Sequence, residues 1–236
     1  MTSDVHDHDA AIRFSLLGLT AVTGVVDAAS FLGLGHIFTA NMTGNIVFLG
    51  FAVGGATGVS APRSVTALAA FACGSVCGGR INTRDLGAAR SLLLAMCFEG
   101  LLLLLAVAST VPAGSSASSA AYAAIVLTAA ALGLRNAVVR KLGVPDLTTT
   151  VLTLTVTGLT ADSRLAGGNG GRSGVRLLSI TAMCIGAICG ATLLGRAGLA
   201  AALGGAALAV AGLALFLYVK LRHSSDRDTV DVATNR

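Results

Sequence analysis

Thr39, Asn41, Thr43 and Asn45 place two hydroxyls and two amides within seven residues, with apolar sequence on both sides. Amides and hydroxyls both donate and accept, so the set suits a neutral polar solute or a partly dehydrated cation. In hydrocarbon such groups persist only where protein, ligand or water satisfies them. The string Phe38–Asn45 therefore reads as a helix broken at membrane depth. A second polar set follows in Pro145–Thr160, which carries Thr148, Thr149, Thr150, Thr153, Thr155, Thr157 and Thr160. β-Branched hydroxyls at this density make poor helix formers and good partners for backbone or ligand. The candidate binding residues are Asn41, Thr43, Asn45, Thr149, Thr150 and Thr153, with Asp27 and Asn136 beside them. The plainer alternative is that they satisfy the broken backbone and one another.

Three charges lie inside apolar runs: Asp27, Glu99 and Arg135. A charge at the centre of a membrane helix costs roughly 2.5–3.5 kcal/mol on insertion scales, so each should face protein or water. Asp27 lies about 10 Å of helix rise from the end of its run. It is either a proton- or cation-linked carboxylate or a structural partner for Arg135 or a helix end. Glu99, with leucines on one side and Met96-Cys97-Phe98 on the other, reads as an inter-helix contact, and the three together as a candidate charge pair or coupling group. Arg135 sits one turn from the end of its run, where it could recognise an anion or snorkel to the surface.

Catalytic patterns are missing. The chain has no nucleophile–base pair, HExxH, Walker loop or dinucleotide fingerprint, so no enzyme and no cofactor are expected. Cys73, Cys77, Cys97, Cys184 and Cys189 all lie in apolar runs, odd in number and without metal spacing. They read as small buried hydrophobes. His6 and His8 fall in a polar N-terminal stretch that reads as an unstructured tail rather than a metal site.

What must position these groups is a membrane bundle. The 236 residues are 54% hydrophobic and 11% charged, with mean hydropathy +0.82. A soluble domain carries about 25% charged residues. Thirty glycines and no Trp suggest helices in close approach. The net charge of +5 is scattered between apolar runs, as an orientation signal rather than a nucleic-acid surface. The spanning runs are Phe14–Leu34, Ser64–Gly79, Ser91–Val111, Ala120–Val139, Leu177–Gly195 and Gly198–Val219, with a shorter run at Ile46–Val59.

The halves match. Gly24-Val-Val-Asp27-Ala28 aligns with Gly133-Leu-Arg-Asn136-Ala137. Thr39 then falls on Thr148 and Asn41 on Thr150, and a one-residue slip pairs Thr43 with Thr153 and Asn45 with Thr155. Gly74-Ser-Val-Cys77-Gly78-Gly79 aligns with Gly186-Ala-Ile-Cys189-Gly190-Ala191, both GxxxG segments. An internal duplication is expected, with halves at about 14–111 and 120–219. If Gly35–Ala61 and Gly143–Thr160 dip in and return, Arg13, Arg80, Arg84, Arg90, Arg140, Lys141, Arg164, Arg172, Arg176, Lys220 and Arg222 share one side. Only Arg63 and Arg196 lie opposite, which is the distribution the positive-inside rule favours. Three spans per half then make the halves inverted, a transporter ground plan.

These motifs resemble the YoaK family of bacterial multi-pass membrane proteins. The resemblance rests on Gly24–Phe31, on Phe38-Thr-Ala-Asn41-Met-Thr43-Gly44-Asn45, and on Asn136-Ala-Val-Val-Arg140 with Thr149-Thr150-Val-Leu-Thr153. The family pattern commonly has Gln where this chain has Arg135. The resemblance implies an integral bacterial plasma-membrane protein and brings no substrate.

The expected fold is all-α: six membrane helices and two re-entrant or discontinuous segments in a 3+3 inverted repeat. Cytoplasmic tails 1–13 and 220–236 flank one membrane domain, 14–219. The expected function is secondary transport of a small polar solute by alternating access, with a channel or a non-transporting scaffold as alternatives. The expected partners are the lipid bilayer, the solute and, as an open alternative, a second copy of the chain, with no nucleic acid; in the scaffold reading the GxxxG faces would hold a partner.

Overall fold

The computed structural model describes residues 2–84, 86–110, 118–144 and 152–234, among which all regular structure is helical. The helices are α1 (Thr2–Gly33), α2 (Met42–Val53), α3 (Ala61–Asn82), α4 (Ala88–Thr110), α5 (Ser118–Leu142), α6 (Leu152–Ala161) and α7 (Ser173–Thr234), with a 3-10 turn at Arg164–Ala166. Five are long and apolar enough to cross a membrane: α1, α3, α4, α5 and α7. The last runs apolar for 51 residues, Ser173–His223, and takes in both runs expected beyond Leu177. It breaks at Gly198, whose φ of 81° and ψ of 179° are not helical. The polar ends expected as unstructured tails instead continue α1 from Thr2 and α7 to Thr234.

The lengths follow from local signals. Ser60 caps α3 by accepting from the Arg63 amide, and Pro62 stands in its first turn, where no amide is needed. Asn41 caps α2 by accepting from the Gly44 amide at 3.4 Å. The Asn/Thr string therefore opens a helix, and the break lies before it, at 34–41. There Gly35 and His36 both take positive φ, 88° and 59°, ending α1 in a left-handed turn. α2 has 12 residues, about 18 Å at 1.5 Å per residue, too short for a ~30 Å hydrocarbon core. α6, at 10 residues, is shorter still. The threonines did not prevent it, because the Thr157 and Thr160 hydroxyls donate to the carbonyls of Thr153 (2.9 Å) and Val156 (3.2 Å) one turn back.

α1 packs along α7, and α3 along α5, with α4 against both α5 and α7. Glycine makes both long contacts backbone-close. A Cβ on Gly74 or Gly78 would strike the carbonyls of Ala130 and Leu134 on α5. A Cβ on Gly186 or Gly190 would strike those of Ala21 and Val25 on α1. In return, Gly24 lies on the Met183 carbonyl and Gly133 on the Phe71 carbonyl. The residue numbers rise together along both glycine contacts, so α3–α5 and α1 with the first limb of α7 are parallel, whereas Gly18 on Leu213 and Gly33 on Leu199 set the second limb of α7 antiparallel to α1. Leu16, Leu19, Val26, Leu92, Met96 and Leu203 fill the main core. Leu101, Leu104, Leu105, Ile185, Ile188 and Leu215 point outward, a surface matched to lipid rather than water.

Candidate functional site

The 34–41 turn folds back along α1. The Ala40 amide donates to Asp27 Oδ1 at 3.0 Å, tying the turn to the middle of the helix. Asn45 fixes the turn from the other side: its Nδ2 donates to the Phe38 carbonyl at 2.5 Å and its Oδ1 accepts from the Phe38 amide at 3.0 Å. Both backbone hydrogen-bonding groups of one residue, Phe38, are thereby satisfied by one side chain. Arg63 Nη1 donates to the Leu34 carbonyl at 3.1 Å, placing a cation at the α1 C-terminus where the helix dipole favours it. Phe31, Phe38 and Phe48 stack around the turn, with centroids 5.0 Å and 5.8 Å apart.

Beside this turn lies a cavity of about 610 Å³. Asp27, Asn41, Thr43 and Thr153 supply its polar lining, and Phe48, Phe71 and Met183 much of the rest. Of the residues singled out in the sequence, these four polar ones come together. Asn45 is fully buried and does not line the cavity. Asn136 is half-buried on α5 and is not among the lining residues. Thr149 and Thr150 lie outside the described residues. The aromatic and sulfur side chains carried no polar signal to mark them. The expected duplication offers a signal for them, since its register sets Phe71 against Met183 and Met42 against Leu152.

Arg135 does not snorkel. It is fully buried, and its Nη1 lies 2.7 Å from Glu99 Oε1. Nη1 also donates to the Leu19 carbonyl (3.4 Å) and Nη2 to the Thr23 hydroxyl (2.5 Å). The side chain therefore links α1, α4 and α5. Its close anionic partner is Glu99 rather than Asp27. Asp27 has no cation within ion-pair distance among the described residues. Arg135 Nε and Glu99 Oε2 have no hydrogen-bond partner there.

Over residues 15–216 the sequence matches the family described as "Protein of unknown function (DUF1275)". The chain belongs to this family. It is 38% identical over 157 residues to the UPF0700 transmembrane protein YoaK of Bacillus subtilis (strain 168), covering 65% of this chain and 68% of the relative. No solved structure matches. The family likeness carried by the Asn41–Asn45 and Asn136–Thr153 motifs is thus a finding, and the chain is a multi-pass membrane protein of DUF1275.

Elsewhere on this DUF1275 chain, all five cysteines are exposed on the outer faces of α3, α4 and α7, not buried as their apolar surroundings suggested. In a bilayer those faces meet lipid, so thiol and hydrocarbon still suit each other. Among the described residues no three His, Cys, Asp or Glu converge on a possible metal position. Arg176 donates to the Gly158 carbonyl and pairs with Asp162 at 2.7 Å, pinning α6 to the start of α7. The Gly167–Gly171 loop beside that pair is an open surface cleft.

Proposed function

We propose that the protein is a secondary transporter that carries a small polar solute by alternating access. The cavity carries this reading, because corresponding residues of the two halves line it. Thr43 and its counterpart Thr153 both line it, as do Met42 with Leu152 and Phe71 with Met183. A cavity on the axis relating two halves is where a carrier binds its solute. The glycine contacts support the same axis. Gly74 on Ala130 corresponds to Gly186 on Ala21, Gly78 on Leu134 to Gly190 on Val25, and Gly133 on Phe71 to Gly24 on Met183.

The topology that fits is six spans, with α7 counted as two limbs at Gly198 and with α2 and α6 as re-entrant helices. Arg63, which opens α3, touches the end of α1 at Leu34. The 34–61 segment therefore leaves and rejoins the bundle at one end. At the other end Arg13 shares a cleft with Ala88, Leu142 and Gly143, and Lys141 reaches the Asn82 carbonyl. The cation-rich end is then cytoplasmic, together with both termini, in a bacterial inner membrane. A C-terminal green-fluorescent-protein fusion should fluoresce and a phosphatase fusion at Ser116 should be active; the opposite pair of results overturns this orientation. Counterflow in proteoliposomes tests the transport reading. Saturable exchange marks a carrier, non-saturable flux a channel, and the absence of flux for every solute a scaffold. Asn41→Ala should cut exchange strongly while the protein stays folded, since losing the cap costs about 1 kcal/mol.

A further inference from the structure

Charge bookkeeping at the cavity narrows the solute. The bundle interior near the site holds two carboxylates, Asp27 and Glu99, and one guanidinium, Arg135. Arg135 is committed to Glu99 at 2.7 Å, with Thr23 and the Leu19 carbonyl taking its other donors. Asp27 is left as the charge that lines the cavity, 6% exposed, with no cation within ion-pair distance among the described residues; Arg135 acts on it only at longer range. A carboxylate at membrane depth without a cation in direct contact is costly, and a cation bound opposite it lowers that cost.

The rest of the lining says which kind of cation. A dehydrated metal ion needs several convergent oxygens free to coordinate it. Here Asp27 Oδ1 already accepts from Ala40 and Asn41 Oδ1 from Gly44. The remaining walls are apolar and include Phe48, Phe71, Met42 and Met183. Aromatic faces attract a diffuse organic cation, and apolar walls match its alkyl groups. Asn41, Thr43 and Thr153 offer polar atoms for a hydroxyl or amide elsewhere on the solute.

We infer that the cavity between α1, α2, α3, α6 and α7 binds a small organic ammonium ion, its charge paired with Asp27 and its substituents against Phe48 and Phe71. This rests on the cavity being the transported solute's site, as proposed above, and names the class of that solute. A volume of about 610 Å³ falls within the range of small-molecule sites, ~300–1,000 Å³.

The test uses the full chain purified in detergent. Choline and tetramethylammonium are the probes, 3,3-dimethylbutan-1-ol is the uncharged isostere of choline, and KCl and NaCl are the inorganic controls. Calorimetric titration and thermal stability should show saturable binding of the ammonium ions and none of the isostere. Asp27→Asn keeps an acceptor for the Ala40 amide and should weaken ammonium binding at least ~10-fold. Phe71→Leu keeps bulk, loses the ring, and should weaken it roughly 3- to 10-fold. Equal binding of the isostere, equal stabilisation by K⁺ or Na⁺, no binding of either ammonium ion, or unchanged affinity in both variants overturns the inference. Ammonium binding without exchange in proteoliposomes overturns the carrier reading alone. Saturable exchange of a neutral solute without ammonium binding overturns the ammonium inference alone.

Discussion

Arg135 and Glu99 show how far a single residue's type carries. Both were visible as charges in apolar runs, and both had to face protein. Which carboxylate would take the guanidinium depended on the relative rotation of α4 and α5, which no local pattern encodes. With the pair fully buried, removing one partner strands the other. Glu99→Gln should destabilise the protein by about 3–5 kcal/mol, whereas Glu99→Met combined with Arg135→Met should restore most of the loss. Thermal unfolding in detergent of the two single variants and the double variant measures this. A double variant no more stable than the worse single would mean that the pair does more than neutralise itself. Asn45 teaches the same lesson with the opposite outcome. Its type announced a polar role, but its amide is engaged by the Phe38 peptide. Asn45→Ala leaves that part-buried N–H and C=O without their partner and should cost more than Asn41→Ala, about 1–3 kcal/mol in all. A smaller cost than Asn41→Ala in the same unfolding assay contradicts the positioning role.

Among the elements, the long spans were legible because an uninterrupted apolar run of that length has few other uses. Their ends were less so. α2 begins at Met42 rather than near Ile46 because Asn41 caps it, and the run expected to stop near Gly195 continues into the next limb because Gly198 alone breaks it. The thin contacts were legible as a composition, thirty glycines, but not as a side. Gly78 and Gly79 are neighbours in sequence with opposite surroundings. A Cβ on Gly78 would meet the Leu134 carbonyl and Ala137 Cβ, while one on Gly79 would meet nothing within 4 Å. Gly78→Ala should therefore separate α3 from α5 and lose about 1–3 kcal/mol. Gly79→Ala should be neutral or gain up to ~1 kcal/mol from helix propensity. Melting temperatures of the two variants in one detergent check the pair, and equal effects would contradict the packing described.

At the scale of the whole molecule, the duplication read from sequence and the contacts made in space divide the chain differently. The sequence halves run 14–111 and 120–219, but the backbone-close pairs cross between them: α1 of the first half with α7 of the second, and α3 of the first with α5 of the second. If the protein transports as proposed, the bodies that rock are α1–α7 and α3–α5, because glycine-backed contacts such as Gly74 on Ala130 and Gly186 on Ala21 resist sliding. α2 contacts α3, and α6 contacts α7, so each short helix travels with a different body. Thr43 on α2 and Thr153 on α6 face the same cavity from those two bodies. Thr43→Cys combined with Thr153→Cys, in a chain whose five outward native cysteines are replaced by Ala, joins the bodies when treated with a bifunctional maleimide. The treated double variant should lose exchange in proteoliposomes almost completely, while each single variant, treated alike, retains it. Cross-linked protein, verified as such by mass, that still exchanges solute at the untreated rate would mean that the two short helices do not move apart, and the crossed-pair mechanism would be wrong.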